Sequence, residues 1–245
     1  MQNKNYKDEN IWIIGASSGI GEALALDLSR AGAYIILSAR REDKLKEVSA
    51  KIGEGHSIIP LDIADAAQVA TAAQSIWDQH KKIDRIIFMA ALYDPMALDE
   101  LDLEKTQKMV QVNLMGAFHV IDAVLPYLKK QDKGQLALCA SVAGYMGLPK
   151  GQPYSATKAA MINIAETLKI EAPEHLDIKL INPGFVKTAL TDKNDFKMPM
   201  LIAPQQAAGA ITKGLLQAGF EIHFPRGFTR FLKFIRSLPY FIQLY

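Results

Sequence analysis

Cysteine is almost absent. The single Cys139 in 245 residues excludes a disulfide framework and any zinc site built from cysteines. Charge of one sign is also lacking: 28 Lys and Arg against 26 Asp and Glu leave a net +2. Nucleic-acid binders carry a marked basic surplus, so that partner class is set aside. No window of about 18 apolar residues stands out, so no membrane span is expected. The polar stretch from Met1 to Asn10 lacks the apolar core of a secretory signal. No Gly/Ser-rich or Pro-rich linker and no repeat of fixed period divides the chain, and no metal site is expected. What is present is ordinary globular material, 49% hydrophobic and 22% charged. One large domain or two small ones fit that length. The expectation is a soluble, cytoplasmic protein with one sizeable core.

Short apolar runs alternate with helical patterns along the chain. Strands are read at Asn10–Ala16, Ala33–Ala39, His56–Leu61, Ile83–Ala90, Gly134–Ala140, Leu176–Asn182 and Phe220–Phe224. Helices are read at Gly19–Ala31, Arg41–Ile52, Asp65–His80, Glu104–Lys130 (bent near Pro126), Tyr154–Ala172 and Pro204–Ala218. Strands separated by helices indicate βαβ units around a parallel sheet. Runs such as Ile11–Ile14, apolar without alternation, are those of strands covered on both faces. The fold expected is α/β, a doubly wound parallel sheet (Rossmann fold) of about seven strands with helices on both faces. One domain over residues 1–225 is followed by a tail, 226–245, read as part of the same domain.

The segment Gly15-Ala-Ser17-Ser18-Gly19-Ile20-Gly21 joins the first strand to the first helix. Glycines there permit a tight turn and close backbone approach, and the helix start offers free N–H groups to a pyrophosphate. At the end of the second strand an acid would accept a ribose 2′-hydroxyl; this chain has Ser38-Ala39-Arg40-Arg41. A guanidinium at Arg40 favours a 2′-phosphate, so NADP is expected rather than NAD. Asp62, ending the third strand, either meets the adenine amino group or caps a turn.

Tyr154 and Lys158 stand four apart on a helix and share a face. A phenol of pKa about 10 is a poor acid–base catalyst at neutral pH. An ammonium about 5 Å away would favour the phenolate by roughly 3 kcal/mol, about two pK units.

With these residues in hand the chain resembles the short-chain dehydrogenase/reductase family, in its single-domain branch. Gly15-x-x-x-Gly19-x-Gly21 matches the cofactor loop, and Asn113 the helix asparagine. Ser141 lies thirteen residues before Tyr154, which with Lys158 matches the active-site pair. Asn182-Pro183-Gly184 followed by Thr188 matches the segment under the nicotinamide. The resemblance implies that Tyr154 gives and takes the substrate proton, that Lys158 lowers its pKa and holds the nicotinamide ribose, and that Ser141 bonds the substrate oxygen. It implies that Asn113 holds a water linking Lys158 to solvent. The function implied is an NADP-dependent oxidoreductase acting on a carbonyl or secondary alcohol. A sensor or scaffold that binds NADP without chemistry is the alternative. An epimerase of the extended branch would need about 80–100 further residues. The chain departs from the family at Ala90-Ala91-Leu92, where Asn-Ala-Gly is usual, and at Ile14, where threonine is usual.

An apolar, adaptable substrate pocket is expected from Val142, Tyr145, Met146, Leu148, Pro149, Phe185, Leu190, Phe196, Met198 and Met200. The helices around Val110–Leu128 and Tyr154–Ala172 carry more apolar residues than sheet-covering helices need. Family members pair through them, which implies a homodimer or homotetramer. In the tail, Phe228, Phe231, Leu232, Ile235 and Leu238 fall on one stripe of a helix, with Arg230, Lys233 and Arg236 opposite. That stripe either packs on the body or makes peripheral contact with an anionic membrane.

Overall fold

The computed structural model describes residues 6–243. Its strands are β1 (Asn10–Ile14), β2 (Tyr34–Ser38), β3 (His56–Ile58), β4 (Arg85–Phe88), β5 (Gly134–Cys139), β6 (Leu176–Pro183) and β7 (Glu221–Phe224). All pair in parallel, in the order β3-β2-β1-β4-β5-β6-β7. The helices are α1 (Gly19–Arg30), α2 (Glu42–Ile52), α3 (Ala66–His80), α4 (Leu103–Val110), α5 (Gly116–Leu128), α6 (Tyr154–Glu171), α7 (Pro204–Leu215), α8 (Arg226–Ser237) and α9 (Tyr240–Gln243).

The unbroken apolar strands have the cause expected of them. Successive side chains point to opposite faces of a strand, and both faces here are covered. Trp12 and Ile14 of β1 pack with Val69 and Ile76 of α3, Val120 and Val124 of α5, and Met161 of α6. Ile11 and Ile13 pack on the other side with Leu24 and Leu28 of α1 and Ile211 of α7. Asp65 caps α3 as an acidic N-cap should, accepting from the backbone N–H groups of Ala67 and Gln68.

Two helix expectations need correction. The helix expected over Glu104–Lys130 with a bend at Pro126 is interrupted at Gln111–Met115 instead, by a single π turn. The cause is local. Asn113 is drawn into the interior to bond Leu92, and Gly116 lies so close to Ile63 that an added Cβ would stand 2.9 Å from it. The helical run Leu103–Leu128 is also 26 residues long and apolar enough to cross a membrane by length and composition, contrary to the reading of the sequence. Its apolarity serves the core: Ala117, Val120, Val124 and Leu128 are buried against the sheet layer.

The tail folds as α8 and α9. The aromatic stripe expected there is split: Phe228, Leu232 and Ile235 are half-buried, whereas Phe231 is exposed. Lys233, expected on the outer side, turns inward to Glu221 of β7. Tyr245 and the polar residues 1–5 fall outside the described residues.

The order in which successive strands are added reverses at β1: β2 and β3 lie to one side of it and β4 to β7 to the other. A crevice opens there beyond the carboxyl ends of the strands.

Candidate active site

The crevice is a cleft of about 530 Å³. Its walls begin with the glycine loop. Gly15 has a φ of +99°, and a Cβ added to it would stand 2.5 Å from the backbone nitrogen of Ala90. Gly19 has a φ of +60°, and an added Cβ would meet Thr188 at 3.0 Å. At Gly21 an added Cβ would collide with the carbonyl oxygen of Gly15. Only glycine satisfies these three positions, which keep the loop tight and its backbone bare toward the cleft. Ser18 opens α1 in an extended conformation without a side-chain cap, so the first N–H groups of α1 face the cleft uncapped. Ser17 and Ile20 line the same wall.

Arg40 and Arg41 follow β2 and line the cleft, both exposed; among the described residues neither is paired with an acid. Ser38 is unavailable to a ligand, because it is buried and accepts a bond from Trp12 Nε1 at 2.9 Å. Asp62 lines the cleft too, and one carboxylate oxygen caps its own turn by accepting from Ala64 N–H at 3.0 Å. The uncapped helix start, the glycine cradle and the unpaired arginines together suit a dinucleotide phosphate.

The opposite wall carries Ser141, Tyr154 and Lys158. Ser141 follows β5 and turns the chain into a short loop, its Oγ accepting from Ala143 N–H at 3.1 Å. That loop is stitched to α6. Ser155 Oγ donates to the carbonyl of Ala143, and a Cβ on Gly144 would stand 2.7 Å from the backbone of Lys158. Gly144 therefore sets the spacing between the serine loop and the helix of the Tyr–Lys pair. Lys158 Nζ lies 5.5 Å from the centre of the Tyr154 ring and donates to the Cys139 carbonyl at 2.8 Å.

The electrostatics differ from the reading of the sequence. Burial pushes the Tyr154 phenol above its ordinary value; Cys139 and Tyr93 push the same way, and a hydrogen bond with Ser141 opposes them. Burial also pulls the Lys158 ammonium down. The ammonium stands over the ring face, so burial outweighs the stabilisation expected from a charge beside the oxygen.

Asn113 meets Leu92 of the Ala90–Leu92 loop. It is buried, and its amide donates to the Leu92 carbonyl at 2.9 Å and to Thr157 Oγ1 at 3.2 Å. Its Oδ1 accepts from Leu92 N–H at 2.6 Å. The side chain's donors are thus committed to anchoring the Ala90–Leu92 loop. Pro183, Gly184 and Thr188 line the cleft.

Of the expected pocket residues, Val142, Leu148, Pro149, Phe185, Leu190 and Phe196 line the cleft. Tyr145, Met146, Met198 and Met200 do not: Tyr145 donates to Glu221 at 2.7 Å, and Met200 points outward. Tyr93 and Asn194 were missed. The Tyr93 ring meets the Tyr154 ring edge-on at 4.9 Å, and its hydroxyl donates to Asn194 at 2.5 Å. No periodicity marks these residues; only the adjacency of Tyr93 to the glycine-facing loop hinted at them. The cleft's Lys193 is tied to the Tyr93 carbonyl and to Asp94.

Comparison with known proteins agrees with this geometry. The sequence model of the short chain dehydrogenases matches residues 9–198. An uncharacterized oxidoreductase of Staphylococcus epidermidis is 32% identical over 212 residues, 86% of this chain and 92% of that one. A short-chain dehydrogenase of Shigella flexneri solved with NADP is 29% identical, with a TM-score of 0.78 over 83% of this chain and 89% of that one. A short-chain dehydrogenase/reductase of Burkholderia phymatum solved with NAD shares the fold at 20% identity, with a TM-score of 0.85 over 94% and 93%.

Proposed function

The chain belongs to the short-chain dehydrogenase family, and from that premise we propose that it is an NADP-dependent reductase of lipophilic carbonyl compounds, with the reverse oxidation of secondary alcohols. The observation that carries this reading is the convergence of Ser141, Tyr154 and Lys158 on one cleft wall, facing a glycine cradle on the other.

The nicotinamide, when bound, supplies the hydride. Tyr154 Oη gives the proton that the carbonyl oxygen acquires as the C=O bond becomes CH–OH. The raised phenol suits that direction, since at neutral pH it is protonated and able to donate. Ser141 Oγ bonds the same oxygen and steadies the charge that develops on it. The Lys158 ammonium over the ring stabilises the phenolate left behind until solvent returns the proton.

The preference for NADP is supported by Arg40 and Arg41 at the cleft and by the absence of an acid at Ser38 and Ala39. Leu148, Phe185, Leu190 and Phe196 support a lipophilic substrate. Exposed Phe118 on α5 and Ile170 on α6, the latter 85% exposed, support pairing of protomers through these helices; light scattering at micromolar concentration tests that, and a monomer refutes it. The test of the function is oxidation of NADPH, and separately of NADH, against a panel of lipophilic and polar aldehydes and ketones. Turnover of apolar carbonyls with NADPH is expected. Tight NADPH binding without turnover of any of them would favour a sensor or scaffold instead.

A further inference from the structure

The two sides of α8 are built for different neighbours. Its inner side is committed to the body. Thr229 Oγ1 shares a 2.5 Å hydrogen bond with His223 Nδ1, Lys233 pairs with Glu221, and the Phe228 ring lies 5.8 Å from that of Phe185. Its outer side carries Phe231, 58% exposed, and Phe234, 62% exposed, with exposed Arg226 and Arg230 beside them. After Pro239 the chain adds Tyr240, Phe241 and Ile242, all exposed, with Phe241 at 73%. Scattered apolar residues on a surface need no account, but five exposed large apolar residues between Phe231 and Ile242 do.

The charge is equally lopsided. The segment from Arg226 to the end holds four of the chain's 28 cations and none of its 26 acids, so the remainder carries a net −2. Positive charge is thus concentrated beside the exposed rings. A second copy of the chain docking here about a twofold axis would set arginine against arginine, with no acid on the patch to relieve the repulsion. A negatively charged lipid surface meets both features at once. Aromatic rings settle at the headgroup level, where one side is apolar and the other wet, and arginines reach the phosphates. Spanning is excluded, since the 12 residues of α8 extend only about 18 Å.

We propose that the outer face of α8 and α9 docks this protein on an anionic lipid surface, with Phe231, Phe234 and Phe241 inserted among the headgroups and Arg226 and Arg230 on the phosphates. The inner side of α8, not its docking face, meets the cleft. Phe185, a cleft residue, has its ring 5.8 Å from that of Phe228 and 5.8 Å from that of the exposed cleft residue Phe196.

The test is flotation of the full chain with phosphatidylcholine vesicles, with and without phosphatidylserine, at low and high salt. It reads binding alone, so its result is independent of the proposed reaction. Binding is expected only when phosphatidylserine is present, and it should weaken as salt rises. Phe231→Ser with Phe234→Ser, and separately Arg226→Ser with Arg230→Ser, should each lower partitioning at least about tenfold. The thermal unfolding midpoint should not move, because these side chains face outward. No flotation of the full chain would overturn the proposal. So would flotation that both double variants retain, which would locate the lipid contact elsewhere. A dimer that falls to monomers in the double aromatic variant, without vesicle binding by the parent chain, would assign the face to a second copy.

Discussion

Asn113→Ala separates anchoring from a catalytic role for this residue. The substitution removes three hydrogen bonds: Leu92 N–H to Oδ1 at 2.6 Å, Nδ2 to the Leu92 carbonyl at 2.9 Å and Nδ2 to Thr157 at 3.2 Å. Thr157 keeps a partner, since its hydroxyl also bonds the Tyr154 carbonyl at 2.8 Å. The Leu92 N–H and C=O lose theirs in a half-buried loop. An unsatisfied buried backbone group costs about 1–3 kcal/mol. Water reaching the half-exposed side relieves part of that, so the loss is expected at about 2–4 kcal/mol. Urea unfolding should show it as a lower midpoint at unchanged slope. For a chain of this size the melting temperature should fall by roughly 4–16 °C. The slackened loop also carries Tyr93, whose ring abuts that of Tyr154, so KM for the carbonyl substrate should rise. A loss under about 1 kcal/mol would refute the anchoring argument.

Tyr154→Phe keeps the ring and removes the acid; carbonyl reduction should drop at least about a hundredfold with cofactor affinity little changed, as read by steady-state kinetics and NADPH titration. Arg40→Asp should weaken NADPH by about 2 kcal/mol or more while leaving NADH nearly unaffected, and equal affinity of the parent chain for both would sink the assignment. The Tyr154 phenol is raised by burial, so in the protein without cofactor its ionisation should appear above the ordinary tyrosine range. Tyrosinate absorbance compared with Tyr154→Phe checks this, and a component near neutrality would contradict it. At Glu221, burial pushes the carboxyl up, but bonds from Lys233, Asn182 and Tyr145 prevail and hold it below its ordinary value. A lowered carboxyl contributes stability that is present above the ordinary range and fades as pH falls through the folded value. Glu221→Gln should therefore flatten the loss of melting temperature below about pH 5, and an unchanged acid limb would refute it.

Which features were legible in the sequence follows from how local their causes are. The glycine loop and the Tyr154–Lys158 pair depend on neighbours a few positions away, so spacing alone exposed them. The parallel sheet was legible because burial on both faces leaves strands such as Ile11–Ile14 without alternation. The π turn was not, because it answers to Leu92 and Ile63, remote in sequence from Asn113 and Gly116. Gly144 gave no sign for the same reason: its constraint is the backbone of Lys158. Helical periodicity puts Lys233 among the outer cations because it knows nothing of Glu221 on another element. Composition points Met200 to the pocket, in a loop where no period says which way a side chain turns.

The manner in which the cleft is sewn from distant stretches of chain also governs when it can exist. Gly19 abuts Thr188, roughly 170 residues later, and Gly15 abuts Ala90. Strand β4 joins the sheet beside β1 only after β2 and β3 have been laid on its other side and α1 to α3 have been made. A chain emerging from the ribosome therefore holds its glycine loop long before it holds a wall to face it. Until β6 and the segment after it arrive, nucleotide has only half a cradle to bind and can lend little stability to intermediates. Parallel pairings of such separation form slowly, because the loops must close before the contacts reward them. The interval in which apolar strands such as β5, buried along its whole length in the finished protein, stand bare is the one in which the chain is most open to aggregation.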